Sequence, residues 1–484
     1  MNAIELSPCI EVSQTELVND MHSQLNPTVI RRRIVPQSIG DLSDAVLLAA
    51  QRGEQMSIAG GRHAMGGQQF LSSGLLLDLT QMNKVVQFDR ERGLIEVQAG
   101  MIWPDLIEYL KDEQFGYDLQ WTIAQKQTGC DRLSIGGALS ANVHGRGLKM
   151  RPIIGDVESF KLVMADSSVV TCSRHSNREL FQLVIGGYGM FGAIATVTLR
   201  LTPRTVLRRT VEIVEAAQVI ESLQKRIADG ATYGDYQFAI DNKSSDFLNK
   251  GILSTYAPVG SRHGDSEEFD LANRKLLSKG EWEELLYLAH MNKTVGFEKY
   301  CNHYAATDGQ LYYSDVFQLA TYIDNYHDQL NSRIPSEIKG TEMITELYVP
   351  REALGTFLQN AADLLREHNA DVIYGTVRLI ERDDETFLPW AKQPWACIVL
   401  NLHVEHCWQS VRKNGKTFSE LIQLAMQYGG SYYLTYHRFA TREQLLACYP
   451  QMQKVIELKN AYDPGNVFYS DWYNSIRQLV KSER

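Results

Sequence analysis

The chain has 484 residues, enough for two or three hydrophobic cores rather than one. A composition of 44% hydrophobic and 22% charged residues excludes a disordered polymer. A net charge of −10 without any long Lys/Arg run excludes the usual nucleic-acid binder, and no stretch reaches the ~18 apolar residues of an integral membrane segment.

In chain order, the first twenty residues carry Glu and Asp and lack a basic start and an apolar run, so they do not read as a secretory signal. Arg31–Arg33 reads as a solvated linker. From there strand-like and helix-like pieces alternate. "SIGDLSDAVLLAAQRGE" has helical spacing behind a Ser/Asp start, and "MSIAG", "GLLLDLT", "KVVQFD" and "GLIEVQAG" are short apolar runs. "MIWPDLIEYLKDEQ" is predicted helical, with Pro104 tolerated in the first turn. "NRELFQLVIG" reads as helix and "GAIATVTLRLTP" as strand, closing an α+β unit near Pro203. A second α+β unit follows from about Val206. It contains a region rich in tyrosine (Tyr233, Tyr236, Tyr256, Tyr304, Tyr312, Tyr313, Tyr322, Tyr326) and a last helix, "KTFSELIQLAMQYGG", before a tail of unclear allegiance. The tyrosines suit equally a pocket lining or core packing. Seven scattered cysteines without a C-x-x-C pair read as reduced thiols, which makes the cytoplasm the expected compartment.

Few motifs point to chemistry on their own. "GGYGMFG" holds G-x-G-x-x-G at Gly187, Gly189 and Gly192, but a helix precedes it and a strand follows. That reverses the dinucleotide-binding order, so nicotinamide binding is not expected. "HVEHCW" groups His403, His406 and Cys407, yet the two histidines of a strand at that spacing face opposite ways, and no metal is expected. Two glycine-rich stretches remain, "MSIAGGRHAMGGQQF" (56–70) and "LSIGGALSANVHGRG" (133–147), each with a histidine. Bare backbone of this kind lets N–H groups approach a large anionic ligand.

These two stretches, with "IGGYGMFGAIATVTL" and the tail "AYDPGNVFYSDW", resemble in order and separation the flavin segments of the FAD-linked oxidases of the vanillyl-alcohol oxidase type. The sugar- and polyol-oxidising members are nearest: alditol oxidase, aldonolactone oxidase and decaprenylphosphoryl-ribose oxidase. The resemblance implies an α+β fold with a two-part PCMH-type FAD-binding domain and an α+β cap domain carrying an antiparallel sheet. Its divisions would be an N-terminal extension (1–24), FAD domain (25–205), substrate domain (206–429) and a returning C-terminal segment (430–484). It implies FAD held by Gly60, Gly61, Arg62, His63, Ala64, Met65, Gly66 and Gln68. Further contacts would come from Gly129, Ser134, Gly136, Gly137, Asn142, His144 and Gly145, and from Ile194, Val197 and Tyr469. His63 matches the histidine that many members bond to the flavin 8α carbon, which needs a neutral imidazole. Gly136 stands where bicovalent members have Cys.

The activity the resemblance implies is oxidation of an alcohol carbon by hydride transfer to flavin N5. In alditol oxidases a Glu-x-Arg strand, a His and a Lys line the substrate face. Here "TVRLIERDD" keeps Arg378 but has Thr376 for the Glu, "VLNLHV" has Asn401 at the His position with His403 two residues on, and "GGSYYLTYHRF" has Tyr436 for the Lys. The catalytic candidates are therefore Arg378, Tyr436, His437, His403 and Asn401. Tyr436 would serve as base only if Arg378 lowered its pKa; Glu346 is read as structural. Val143, bulky before the "HG", leans toward a dehydrogenase, with O2 or another acceptor left open. Two alternatives stand beside this reading: an amine or aromatic-substrate enzyme of the cytokinin-dehydrogenase kind, and a flavin-fold protein that binds without turnover. A small-molecule substrate is expected; the oligomeric state is not indicated.

Overall fold

The computed structural model describes residues 11–13, 15–259, 274–320, 323, 326–334 and 336–482. Tyr322 of the tyrosine set, Cys9 and the first ten residues of the N-terminal extension lie outside them. Near the N-terminus, the strands Arg32–Val35, Leu75–Asp78 and Met56–Ala59 pair in parallel, with Glu11–Ser13 antiparallel on the edge. The helix Ile39–Arg52 makes the crossover. Ser38 and Asp41 form a reciprocal capping box at its start, and Gly53, at φ +63°, ends it. Its apolar stripe, Leu42, Ala45, Val46 and Ala49, is buried against the sheet.

A second sheet runs Val169–Ser173, Val157–Val163, Ala193–Arg200, Leu94–Gln98 and Val85–Asp89, all antiparallel. Beyond residue 205 the chain builds one eight-stranded antiparallel sheet, in the order Leu311–Tyr313, Val206–Glu215, Lys250–Pro258, Tyr233–Phe238, Val372–Ile380, Trp395–Glu405, Gly340–Pro350 and Ser431–Tyr432. The fold is α+β.

The tail comes back to the first sheet. Met56 N–H donates to the Val467 carbonyl at 2.7 Å and Tyr469 N–H to the Met56 carbonyl at 2.8 Å, so the segment adds beside Met56–Ala59. One helix differs from the sequence reading: Trp408–Gln427 begins eight residues before Lys416. Gly415 hid its start. Glycine costs a helix about 1 kcal/mol, but a Cβ at Gly415 would sit 2.7 Å from the Phe439 ring, so packing sets this residue.

Candidate active site

The sheets and the returning tail enclose a cleft of about 240 Å³. One wall is the loop that leaves the strand Met56–Ala59, from Gly60 to Met65. A second is the segment Gly129–Gly137, and the turn Tyr188–Gly192 makes a third. Opposing strands of the large sheet contribute Ile344, Tyr374, Arg378, Val399 and Asn401, and the tail contributes Tyr433, Thr435 and Tyr436. The glycines let these loops interlock. A Cβ on Gly60 would lie 2.0 Å from Ser134 Oγ, and one on Gly61 would lie 2.4 Å from the Arg132 carbonyl.

The loop also has a ligand-ready backbone. Arg62 takes the left-handed conformation (φ +57°), and among the described residues the N–H groups of Gly60, Gly61, Arg62, His63 and Ala64 have no hydrogen-bond partner in the protein. Consecutive free N–H groups at such a turn form an anion cradle. No carboxylate lines the cleft among the described residues, whereas Arg62 and Arg378 do. The residues therefore fit an elongated ligand with an anionic centre.

His63 is buried in this loop. Its Nδ1 lies 2.8 Å from His22 Nε2, and the ring also bonds to the Arg132 backbone. Burial and the neighbouring His22 push its pKa down to about 3, so the imidazole is neutral. Sequence reasoning missed His22, which lies outside every motif; it also stands 3.6 Å from Cys130 Sγ. Burial raises the Cys130 thiol to about 12, so it is not a thiolate. At Gly136 a Cβ would approach Ala99 Cβ to 2.7 Å, and a cysteine there would clash.

On the sheet side, Arg378 is 4% exposed, and its Nε and Nη1 have no hydrogen-bond partner. Tyr436 Oη donates to Glu346 Oε2 at 3.2 Å. Glu346 Oε1 accepts from Tyr348 Oη at 2.5 Å and faces His144 Nε2 at 2.8 Å. Glu346 is thus the hub of a buried chain Tyr436–Glu346–His144, and reading it as merely structural undervalued it. Its carboxyl is held below the ordinary value: His144 and its hydrogen bonds outweigh burial. Tyr436 is corrected too. Burial and the Glu346 charge raise its pKa well above 10 against a smaller opposing effect of Arg378, so it is a phenol and not a standing phenolate base.

The other candidates divide. Asn401 lines the cleft; His403 and His437 do not. His403 lies with His290 and Glu342 on the far part of the sheet, and His437 turns toward Asp20 and Phe439. Most residues assigned to the cofactor line the cleft, but Gly66, Asn142, His144, Gly145, Val197 and Tyr469 do not. Gly66 N–H is taken by Gln68 Oε1. Asn142 ends a short helix (φ +50°) and bonds Asp383 and Ile154 N–H. His144 is engaged by Glu346, a Cβ on Gly145 would meet the Lys126 carbonyl at 2.9 Å, Val197 is buried in the middle of the second sheet, and Tyr469 bonds Asn474. A second cavity, of about 640 Å³, shares Thr128, Gly129, Tyr374 and Asn401 with the cleft.

Comparison with known families agrees with this geometry. A model described as "FAD binding domain" matches residues 30–173, and one described as "D-arabinono-1,4-lactone oxidase" matches residues 260–476. The two matched stretches are similar to those of FAD-dependent lactone-oxidising proteins. Among similar proteins, L-gulono-1,4-lactone dehydrogenase of Mycobacterium tuberculosis is 21% identical over 438 residues, 90% of this chain and 94% of that protein. Mouse L-gulonolactone oxidase is 26% identical over 192 residues, 40% of this chain, and the match spans only 42% of that relative. Arabidopsis cytokinin dehydrogenase 2 is 28% identical over 171 residues, 35% of this chain and 32% of that protein. The match to the FAD binding domain spans the loop whose N–H groups are unpartnered. No helix among the described residues is long and apolar enough to cross a membrane.

Proposed function

We propose that the chain oxidises a secondary alcohol carbon of a sugar lactone or closely related polyol, as an FAD-dependent oxidoreductase. The observation that carries this reading is the buried, unpartnered guanidinium edge of Arg378, which lines the same cleft as the glycine loop and Tyr436, with Glu346 and His144 hydrogen-bonded behind Tyr436. A buried cation without hydrogen-bond partners costs free energy unless an oxygen-rich ligand satisfies it. FAD, when bound, supplies the hydride acceptor. The protein supplies the rest. Arg378 binds a substrate oxygen and orients the carbinol C–H. The substrate hydroxyl passes its proton to Tyr436 Oη as the Tyr436 proton moves to Glu346 Oε2, and the resulting carboxylic acid stays beside His144.

The matches to lactone-oxidising proteins support the substrate class. We further propose that His63, already neutral, carries the flavin covalently, that residues 25–205 and 430–484 form the flavin body, and that 206–429 form the cap. Val143 lines the cleft, which supports restricted access for O2 and an acceptor other than oxygen.

A panel of aldono-1,4-lactones, alditols and amines, mixed anaerobically with the yellow protein, tests the reading. Lactones bleach the flavin band; bleaching by amines alone, or by none of the compounds, would sink it. Acid precipitation tests the linkage: a yellow pellet is expected, and a colourless pellet with yellow supernatant removes the His63 bond.

A further inference from the structure

Away from the flavin loop, the large sheet carries a cluster that no step above uses. Glu342 and His403 are direct cross-strand partners in the pairing of Gly340–Pro350 with Trp395–Glu405, so their side chains emerge together on one face. Gly340 makes the room: a Cβ there would lie 2.3 Å from the His403 ring. The helix Lys279–Met291 lies over this face and brings His290, whose ring meets His403 edge to face at 4.9 Å between centroids. His290 and Glu342 side chains are 5% and 4% exposed.

Three buried polar atoms converge here without a hydrogen-bond partner: His290 Nε2, Glu342 Oε1 and His403 Nδ1. Ligand-capable atoms of these residues all lie within 4.8 Å of one another, and His290 Nε2 is 3.4 Å from Glu342 Oε1. Zinc bonds of about 2.0–2.2 Å place tetrahedral ligand atoms about 3.3–3.6 Å apart, so that pair is already at coordination spacing. The other oxygen of Glu342 is occupied. Oε2 accepts from Tyr326 Oη and lies 3.2 Å from His327 Nε2, which fixes the carboxylate and leaves Oε1 directed at the two imidazoles.

We propose that His290, Glu342 and His403 bind a divalent first-row metal ion, with zinc the best match to a two-imidazole, one-carboxylate donor set. Three protein ligands leave a fourth position. Glu342 and Tyr326 both line the second cavity, so the fourth ligand comes from there, as water or as an oxygen of a bound molecule. The ion would also tie the helix Lys279–Met291 to the sheet beside the flavin cleft. This inference does not depend on the substrate assigned above.

The test uses the full-length flavoprotein, stripped with a chelator, incubated with zinc chloride and desalted, with metal measured by plasma emission and flavin by absorbance. Equimolar zinc is expected in the wild type, and its loss with flavin retained in Glu342→Gln and His403→Asn. Tyr326→Phe keeps all three ligands and frees Oε2, so zinc affinity should fall by roughly 10–100-fold. If a sheet variant fails to fold, His290→Ala on the helix supplies the same readout. Wild type that retains no zinc, or ligand variants that retain as much as wild type, overturn the proposal.

Discussion

Tyr436 and Arg378 show how a residue's surroundings, more than its type, decide what it can do. As a phenol backed by the Glu346 carboxylate, Tyr436 can relay a proton but cannot wait as a base. Tyr436→Phe should slow anaerobic flavin reduction by roughly 10²–10⁴-fold in stopped flow, with Glu346→Gln moving in the same direction. Arg378→Met should cost roughly 10²–10³-fold in the same step through lost charge stabilisation. His63 gives a pH signature. The unfolded chain takes up its proton near pH 6.5, whereas the folded pKa is about 3. Stability from keeping this ring neutral is thus complete above pH 6.5 and is lost as the pH falls toward 3. The rate at which apoprotein acquires acid-stable flavin should accordingly stay flat between about pH 8 and 5. A loss of rate through pH 6.5 would mean an ordinary, exposed histidine. Of these residues, His63 was legible because its glycine setting is local in sequence. Glu346 was not, because its meaning comes from His144 and Tyr436, 202 and 90 positions away.

Among the elements, the end of the helix Met452–Tyr462 is pinned by a buried ion pair. Lys459 Nζ meets Asp463 at 2.5 Å, with side chains 0% and 1% exposed, and Asp463 also accepts from the N–H groups of Val467 and Phe468. Removing one partner of such a pair leaves a buried charge alone. Lys459→Met should lower unfolding free energy by about 3–5 kcal/mol in denaturant titration. The accompanying change Asp463→Asn should recover part of it. Helices whose caps and stripes lie within a few residues, such as Ile39–Arg52, could be read directly from sequence. The start of Trp408–Gln427 could not, since the Phe439 ring that demands Gly415 belongs to another segment. The cluster of His290, Glu342 and His403 was hidden for the same reason: spacing rules see ligands on one element, and these come from a helix and two strands.

At the scale of the molecule, the cleft is a joint product of the chain's two ends. Met65 N–H bonds the Thr435 carbonyl, Gln68 bonds the Leu434 carbonyl, and Met56 bonds the Val467 carbonyl. A chain truncated after residue 429 should therefore fail to retain FAD, judged by absorbance after gel filtration, even if its two N-terminal sheets form. Sequence motifs placed both ends of the chain in one expected flavin-binding body, because each motif is short and local in sequence. The way the ends meet was not legible, since the single bridge of Phe468 to Met56 carries too little pattern of its own.

That closure has a consequence for how the protein is made. The loop that cradles the ligand leaves the ribosome well before Tyr433, Thr435 and Tyr436, which finish its cleft and follow it by some hundreds of residues. Until those residues emerge the glycine loop faces solvent without its opposite wall, and long-range pairing of this kind forms late. Cofactor capture is then a late event. A cell short of flavin would accumulate apoprotein rather than stalled fragments, and the supply of FAD at that stage, more than the rate of translation, would set how much active protein appears.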